Sequence, residues 1–538
     1  MTAWRIGVLK DRYVDSVVQM SASRAMSEVD GVEWAAAAMG TPANLGTLAA
    51  QGFDLHGVDA TANDCFMAVR ATSDEAGDAA LDVGEAAVTG GAPGGPAGGG
   101  AGNGGPAGGA ERPRSIGEAV AALGAGVNLA IVSVPGDYAA LEAHKALSAG
   151  MHVLLFSDNV PLDQEVELKQ RAEAAGLLVM GPGAGTAMLG RTGLGFANVV
   201  GGETDGDARP GVGVVAAAGT GAQEVMALLD RGGARVTAVI GVGGRDLSET
   251  VGGRMARSGL RALRADPGTD AVLLVSKPPS DGVARLVLAE AGGCAQSDRA
   301  KPAVAALIGL AEPVPTPDGV QLASTLEGGA TALLAQLGLP PLDLDGGLRA
   351  AVTAAVAQLP AGRRLVRGLF SGGTLCYEAL VILSGILGPV YSNTPLRKGW
   401  GLPAPDGAHV CLDLGEEEFT KGRPHPMIDP EARLEHLRAE GARPDVAVVL
   451  LDVVLGHGSH PDPASVFAGL CGELRDGGRG PAVVAYVLGT AGDPQGLASQ
   501  RAKLAEAGCI VPPTAGRAAL AAAALAARRP ELVEEPLS

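Results

Sequence analysis

Aromatic residues make up only 3% of this 538-residue chain, so its cores must rest on Ala, Val, Leu and Ile. Cysteine is also sparse. Cys65, Cys294, Cys376, Cys411, Cys471 and Cys509 form no C-x-x-C pair, which gives neither a disulfide framework nor a usual zinc spacing. Cys376 reads as a small packing residue. Basic residues number 41 against 59 acidic ones, for a formal net charge of −18. Without basic blocks, such a chain is ill suited to nucleic acid or an anionic membrane. No uncharged apolar run approaches the ~18 residues that span a bilayer. The start, Met1-Thr-Ala-Trp-Arg-Ile6, lacks the basic-then-apolar pattern of a signal peptide. The expected location is the cytoplasm.

Glycine is plentiful, at 82 residues. Residues 90–110 hold only Gly, Ala and Pro apart from Asn103, a composition that cannot offset its ordering entropy by burial. Residues 89–113 therefore read as a flexible linker. Before it, residues 1–88 alternate strand and helix and predict a small α+β domain. After it, residues 114–205 predict a Rossmann-like domain whose parallel strands end at Pro135-Gly136, at Ser157-Asp158-Asn159 and at Gly181-Pro182-Gly183. Residues 208–340 and 360–530 repeat one α/β order and predict two five-stranded, flavodoxin-like domains. The fold class is α/β throughout the body of the chain.

The repeat includes a motif. Gly211–Ala216 leads through Ala217-Ala218 to Gly219-Thr220-Gly221, and Leu365–Phe370 leads to Ser371-Gly372-Gly373-Thr374. Each is a buried strand, then small residues, then a helix start. Unpaired amides and the helix dipole favour an anion there, so these residues are candidate phosphate ligands, with Thr220, Ser371 and Thr374 adding hydroxyls. Helix capping is the alternative role for the hydroxyls. Lys277 ends a third strand and would complement an anion. Glu224 and Glu378, one turn inside the two helices, read as capping partners.

Two further clusters lie on loops. In Arg423-Pro-His425-Pro-Met-Ile-Asp429, Arg423 suits a two-point contact with carboxylate or phosphate. His425 suits proton transfer or donation to a carbonyl. Asp429 either orients His425 or caps the helix that begins at Pro430. Gly456-His457-Gly-Ser-His460-Pro-Asp462 follows a strongly apolar strand and is a candidate substrate contact. Its spacing matches no metal motif, and no metal site is expected.

Several segments resemble known proteins. Ile131–Gly136, Leu155–Pro161 and Ala175–Pro182 resemble strand ends of the CoA-binding domain of the succinyl-CoA synthetase α subunit. The Gly-Thr helices resemble the paired helices that face that enzyme's phosphohistidine. Gly181–Ala187, Leu194–Val199, Phe370–Cys376, Gly422–Pro430 and Gly456–Pro463 resemble the FdrA family of acyl-CoA-synthetase-like proteins. The resemblance implies a CoA-type site at Pro135, Gly136, Ser157, Asp158, Asn159, Gly181, Pro182 and Gly183. It also implies a subunit of an oxamate carbamoyltransferase in allantoin catabolism, acting on carbamoyl phosphate and a small carboxylate or amide with other subunits in an oligomer. Two departures stand out. Ile308–Asp318 has no histidine where the synthetases carry theirs, which excludes a phosphohistidine there, and no nucleotide-binding grasp domain is recognisable. The alternatives are an acid–thiol ligase subunit that binds CoA and a non-enzymatic CoA or metabolite sensor.

Overall fold

The computed structural model describes residues 3–12, 14, 16–89, 113–124, 126–201, 209–293, 301–310, 314–420, 425–475 and 479–538. Nearly all of the expected linker, together with Cys294 and Arg423, lies outside the described residues. Apart from residues 421–424, the chain forms one compact unit up to residue 112 and a second from residue 113 onward.

The first unit is an antiparallel sheet of β1 (Ala3–Leu9), β2 (Val32–Met39) and β3 (Cys65–Ala71) in the order β1-β3-β2. The central strand shows why it folds. Cys65, Met67, Val69 and Ala71 point to one face, into a core with Ala22, Met26 and Ala80 of the helices Ser16–Ser27 and Asp74–Thr89. Phe66 and Ala68 point to the other face, against Leu48 and Phe53. The two-residue alternation therefore builds a core on each side.

The second unit contains three sheets. Strands β4 (Leu129–Val132), β5 (His152–Leu155) and β6 (Val179–Met180) form a parallel sheet. The hairpin β7 (Thr186–Leu189) and β8 (Thr192–Gly195) leaves that domain and pairs antiparallel with the next sheet. There, β9 (Gly211–Ala216), β10 (Arg235–Gly241), β11 (Ala271–Ser276), β12 (Ala303–Leu307) and β13 (Val320–Ala323) are parallel, in the order β13-β12-β11-β9-β10-β7-β8. The five parallel strands have the flavodoxin order.

The third sheet holds β14 (Leu365–Phe370), β15 (Val390–Tyr391), β16 (His409–Asp413), β17 (Val446–Val454) and β18 (Ala482–Leu488) in the order β15-β16-β14-β17-β18. It departs from the expected repeat. Two-residue β15 is added at one edge, and the counterpart of β13 is reduced to a single bridge between Ile510 and Val484. Strands β9, β11, β12, β14 and β17 are buried along their whole length, as expected for parallel sheets covered on both faces.

Lys169, fully buried, ties the first of these sheets to the second. Its ammonium lies 2.8 Å from Glu165 of its own helix and 2.8 Å from Asp246 in the loop after β10. Among the described residues no helix is long and apolar enough to cross a membrane.

Candidate active site

The helices Gly219–Arg231 and Gly373–Leu387 begin just past β9 and β14, and neither has a side-chain N-cap. Their starts meet. A Cβ on Gly372 would fall 2.7 Å from Thr220 Cγ2, and one on Gly221 would fall 2.8 Å from Thr374 Cγ2. Each half thus supplies a glycine where the other presents a threonine. Thr220 is 8% exposed, and its buried Oγ1 has no hydrogen-bond partner. An orphaned buried hydroxyl is costly, and this one lies beside two helix starts.

The second helix start is not equally open. The Ser371 and Gly372 amides donate to the Asp452 carboxylate, each at 2.8 Å, and the Ser371 hydroxyl donates to it at 3.1 Å. Asp452 in turn pairs with buried Arg433 at 2.9 Å, whose guanidinium also donates to the Asp452 and Leu369 carbonyls and lies over the Phe467 ring. Ser371 and Gly372, expected to face phosphate, are therefore held by an internal carboxylate that already satisfies this helix dipole. Gly219, Thr220, Gly221, Gly373 and Thr374 are the expected residues left at the joined starts.

Three more groups border this junction. Asp413, at the end of β16, is buried, and burial pushes its carboxyl up to about 7. Gly415 is the close neighbour of two of them, since a Cβ there would fall 3.2 Å from Asp413 Oδ1 and 2.8 Å from His425 Nε2. Burial pushes His425 down to about 4, so its ring is neutral near pH 7. The Met427 amide donates to Nδ1 at 3.3 Å, which assigns the ring proton to Nε2. His425 is thus an N–H donor rather than a base. Lys277 is exposed at the end of β11, with its ammonium 4.9 Å from the ring centre of Tyr377 on the second helix.

The expected CoA-type residues gather at one edge of the first parallel sheet. Gly136 packs against the Asp158–Asn159 backbone with no room for a Cβ, and the Gly183 amide donates to the Ser157 carbonyl at 3.0 Å. Gly181 and Pro182 lie against Gly243, beyond β10. Pro135 precedes the helix Gly136–Ser148. Ser157 departs from expectation, because its hydroxyl turns inward onto the Val132 and Val134 carbonyls. From this edge a line of rings leads toward Asp413. Phe156 and Phe196 have centroids 5.8 Å apart, and Phe196 and His425 6.3 Å apart.

Other expected residues have structural partners. Asp429 accepts from the Glu431 amide at 3.2 Å and so caps the turn Pro430–Arg433. The His457 amide donates to the Ala197 carbonyl, and the His460 amide to that of Met427. His460 Nδ1 accepts from the Asp462 amide at 3.0 Å. The Cys376 thiol is raised by burial, which keeps it protonated. Glu224 and Glu378 do cap helices, but in the opposite half. Glu224 accepts from the Ala515 amide and the Tyr486 hydroxyl, and Glu378 from the Leu326 amide at 2.6 Å.

Sequence reasoning missed Asp413, Asp452 and Arg433. For the two aspartates the available signal was an acid inside or ending an otherwise apolar strand; no sequence signal pointed to Arg433.

A family model described as CoA-ligase matches residues 369–525, and one described as AllF, heavy metal-associated domain, matches residues 1–101. The uncharacterized protein YahF of Escherichia coli (strain K12) is 36% identical over 517 residues, 94% of this chain and 95% of its own length. The α subunit of succinate–CoA ligase [ADP-forming] of Methanothermobacter thermautotrophicus is 27% identical over 162 residues, 30% of this chain and 52% of that subunit. Among solved structures, the dinucleotide-forming acetyl-coenzyme A synthetase 1 of Ca. Korarchaeum cryptofilum, in complex with phosphate and ADP, is 18% identical. It covers 77% of this chain and 85% of that one, with a TM-score of 0.26.

The first unit's donors do not fit a soft heavy metal. Its thiol and imidazole groups are Cys65 and His56 alone, and burial pushes the Cys65 thiol up to about 11. No group of three or more metal-ligating side chains occurs among the described residues. With YahF matched nearly end to end and a CoA-ligase domain at its C-terminal side, the chain belongs to the FdrA-like family of acyl-CoA-synthetase-like proteins.

Proposed function

We propose that this chain is the acyl-phosphate-binding subunit of a carbamoyltransferase of the oxamate type. The observation that carries the reading is the partnerless Thr220 hydroxyl at an uncapped helix start. It is supported by Lys277 nearby and by the lack of histidine in Ile308–Asp318. A synthetase that passes phosphate through histidine loses its shuttle with that residue, whereas attack on a pre-formed acyl phosphate needs none.

In this mechanism the phosphoryl oxygens of carbamoyl phosphate meet the amides of the first helix, the Thr220 hydroxyl and the Lys277 ammonium. The His425 Nε2–H polarises the carbonyl oxygen as negative charge develops on it. An N–H nucleophile attacks the carbonyl carbon and phosphate departs toward the helix dipole. Positioning supplies most of the rate. Other subunits of an oligomeric, cytoplasmic complex complete the acceptor site.

The second reading is a CoA-binding acid–thiol ligase subunit. The ring line from Phe156 through Phe196 to His425 favours it, since it joins the CoA-type edge to the helix starts. The deciding experiment co-purifies the chain with the products of neighbouring genes and measures phosphate release from carbamoyl phosphate with and without oxamate. Oxamate-dependent release supports the first reading. CoA binding with no such release supports the second.

A further inference from the structure

Asp413 is a buried carboxyl that the fold holds firmly yet leaves half unused. Asn393 clamps its backbone from both sides: the Asp413 amide donates to Asn393 Oδ1 at 3.0 Å, and Asn393 Nδ2 donates to the Asp413 carbonyl at 2.9 Å. Oδ1 accepts from the Gly415 amide at 3.0 Å. Oδ2 accepts no hydrogen bond from the described residues and lies 2.5 Å from where a Cβ on Gly373 would be. One carboxyl oxygen is therefore presented at the start of the second helix. The same junction holds the partnerless Oγ1 of Thr220, itself more than nine-tenths buried and packed on Gly372.

The charged and titratable groups facing Asp413 are few. Glu416 in its own loop and Asp452 on β17 add to burial in favouring the neutral form, and Lys277 from the first half favours the ionised form. The Cys376 and Cys411 thiols on adjoining elements are held neutral by burial, Cys411 being pushed up to about 12. His425, near Gly415, is neutral too. The balance leaves Asp413 titrating near neutrality, where a group that both takes and gives a proton works best.

We propose that Asp413 is the catalytic acid–base group of this site, taking the proton of the N–H nucleophile as the N–C bond forms and returning it to phosphate as the C–O bond breaks. The step balances without a further reactant: an amine or amide N–H and carbamoyl phosphate dianion become the N-carbamoyl product and hydrogen phosphate. The assignment rests on the carbamoyl-transfer reading, and a test with product phosphate separates the two.

Inorganic phosphate is titrated into the purified wild-type complex by calorimetry, in two buffers of different ionisation enthalpy, across neutral to mildly alkaline pH. The anion raises the affinity of Asp413 for a proton, so binding takes up as much as about one proton. Asp413→Asn removes the uptake while phosphate still binds, and it lowers kcat for carbamoyl phosphate by about 100-fold or more. Uptake that is absent in the wild type, or unchanged in Asp413→Asn, overturns the assignment, as does a complex that binds no phosphate. Uptake lost in Asp413→Asn without wild-type turnover of carbamoyl phosphate leaves Asp413 as the proton carrier and sinks the carbamoyl reading instead. Should Asp413→Asn fail to fold, Lys277→Met serves. Loss of that exposed cation must move the uptake to higher pH, and an unmoved profile contradicts the assignment.

Discussion

Thr220 occupies the space that a side chain at Gly372 would need, with its Cγ2 2.7 Å and its Oγ1 2.8 Å from the position of a Cβ there. This contact, with its mirror between Thr374 and Gly221, sets how closely the two helix starts approach.

Gly372→Ala must therefore push the halves apart at the junction. Overpacking of this kind costs about 1–3 kcal/mol, to be read as a lower midpoint in urea unfolding. The same substitution at Gly385, where a Cβ meets nothing within 4 Å, should leave stability unchanged or slightly raised through helix propensity. Equal effects at the two positions would show that the junction is not close-packed.

Asp452 is an internal anion for the second helix as well as the partner of Arg433. Asp452→Asn keeps the shape but turns an N–H donor toward amides that are themselves donors, and it leaves Arg433 buried without a counter-charge. Breaking such a buried pair costs about 3–5 kcal/mol. The expected result is a folded fraction that falls sharply in mild denaturant, partly restored when Arg433 is also changed to Met. A single variant as stable as wild type would mean that the carboxylate does not satisfy this helix start.

The cross-capping glutamates predict a pH dependence. Burial raises Glu378 to about 8 and Glu224 to about 7, above the ordinary carboxyl value of 4.5. Their folded-state values lie above the unfolded one, so the folded protein binds more protons between them. This contribution to stability is fully present below about pH 4.5 and is lost as pH rises through 7–8. Glu378→Gln and Glu224→Gln should flatten the decline of the thermal midpoint between pH 5 and 8. The effect should be larger at Glu378, whose Oε2 is buried without a partner. A decline unchanged in both variants would place its origin elsewhere.

Much of this architecture is legible in the chain. Apolar runs such as Val446–Val454, separated by helix-length segments, give parallel sheets. Twin Gly-Thr motifs past β9 and β14 give two helix starts at comparable places in a duplicated fold. Less legible is which groups satisfy each other across the duplication. Spacing sets Glu224 and Glu378 one turn inside their helices, but their partners Ala515 and Leu326 lie in the other half. Asp452 hides within an apolar strand, so its hold on the Ser371 and Gly372 amides is invisible until β14 and β17 are paired. The hairpin Thr186–Gly195 consists of four-residue strands, too short for periodicity to say which sheet they join. The loss of a fifth strand around Ile510 depends on one bridge that no local pattern specifies.

Thr220→Val tests the central claim most directly, because it separates a ligand group from a structural one by sign. Removing a buried hydroxyl that has no partner should stabilise the free protein by about 1 kcal/mol, while oxamate-dependent phosphate release from carbamoyl phosphate by the assembled complex falls by about tenfold or more. A variant that is less stable than wild type yet releases phosphate at the wild-type rate would contradict the account.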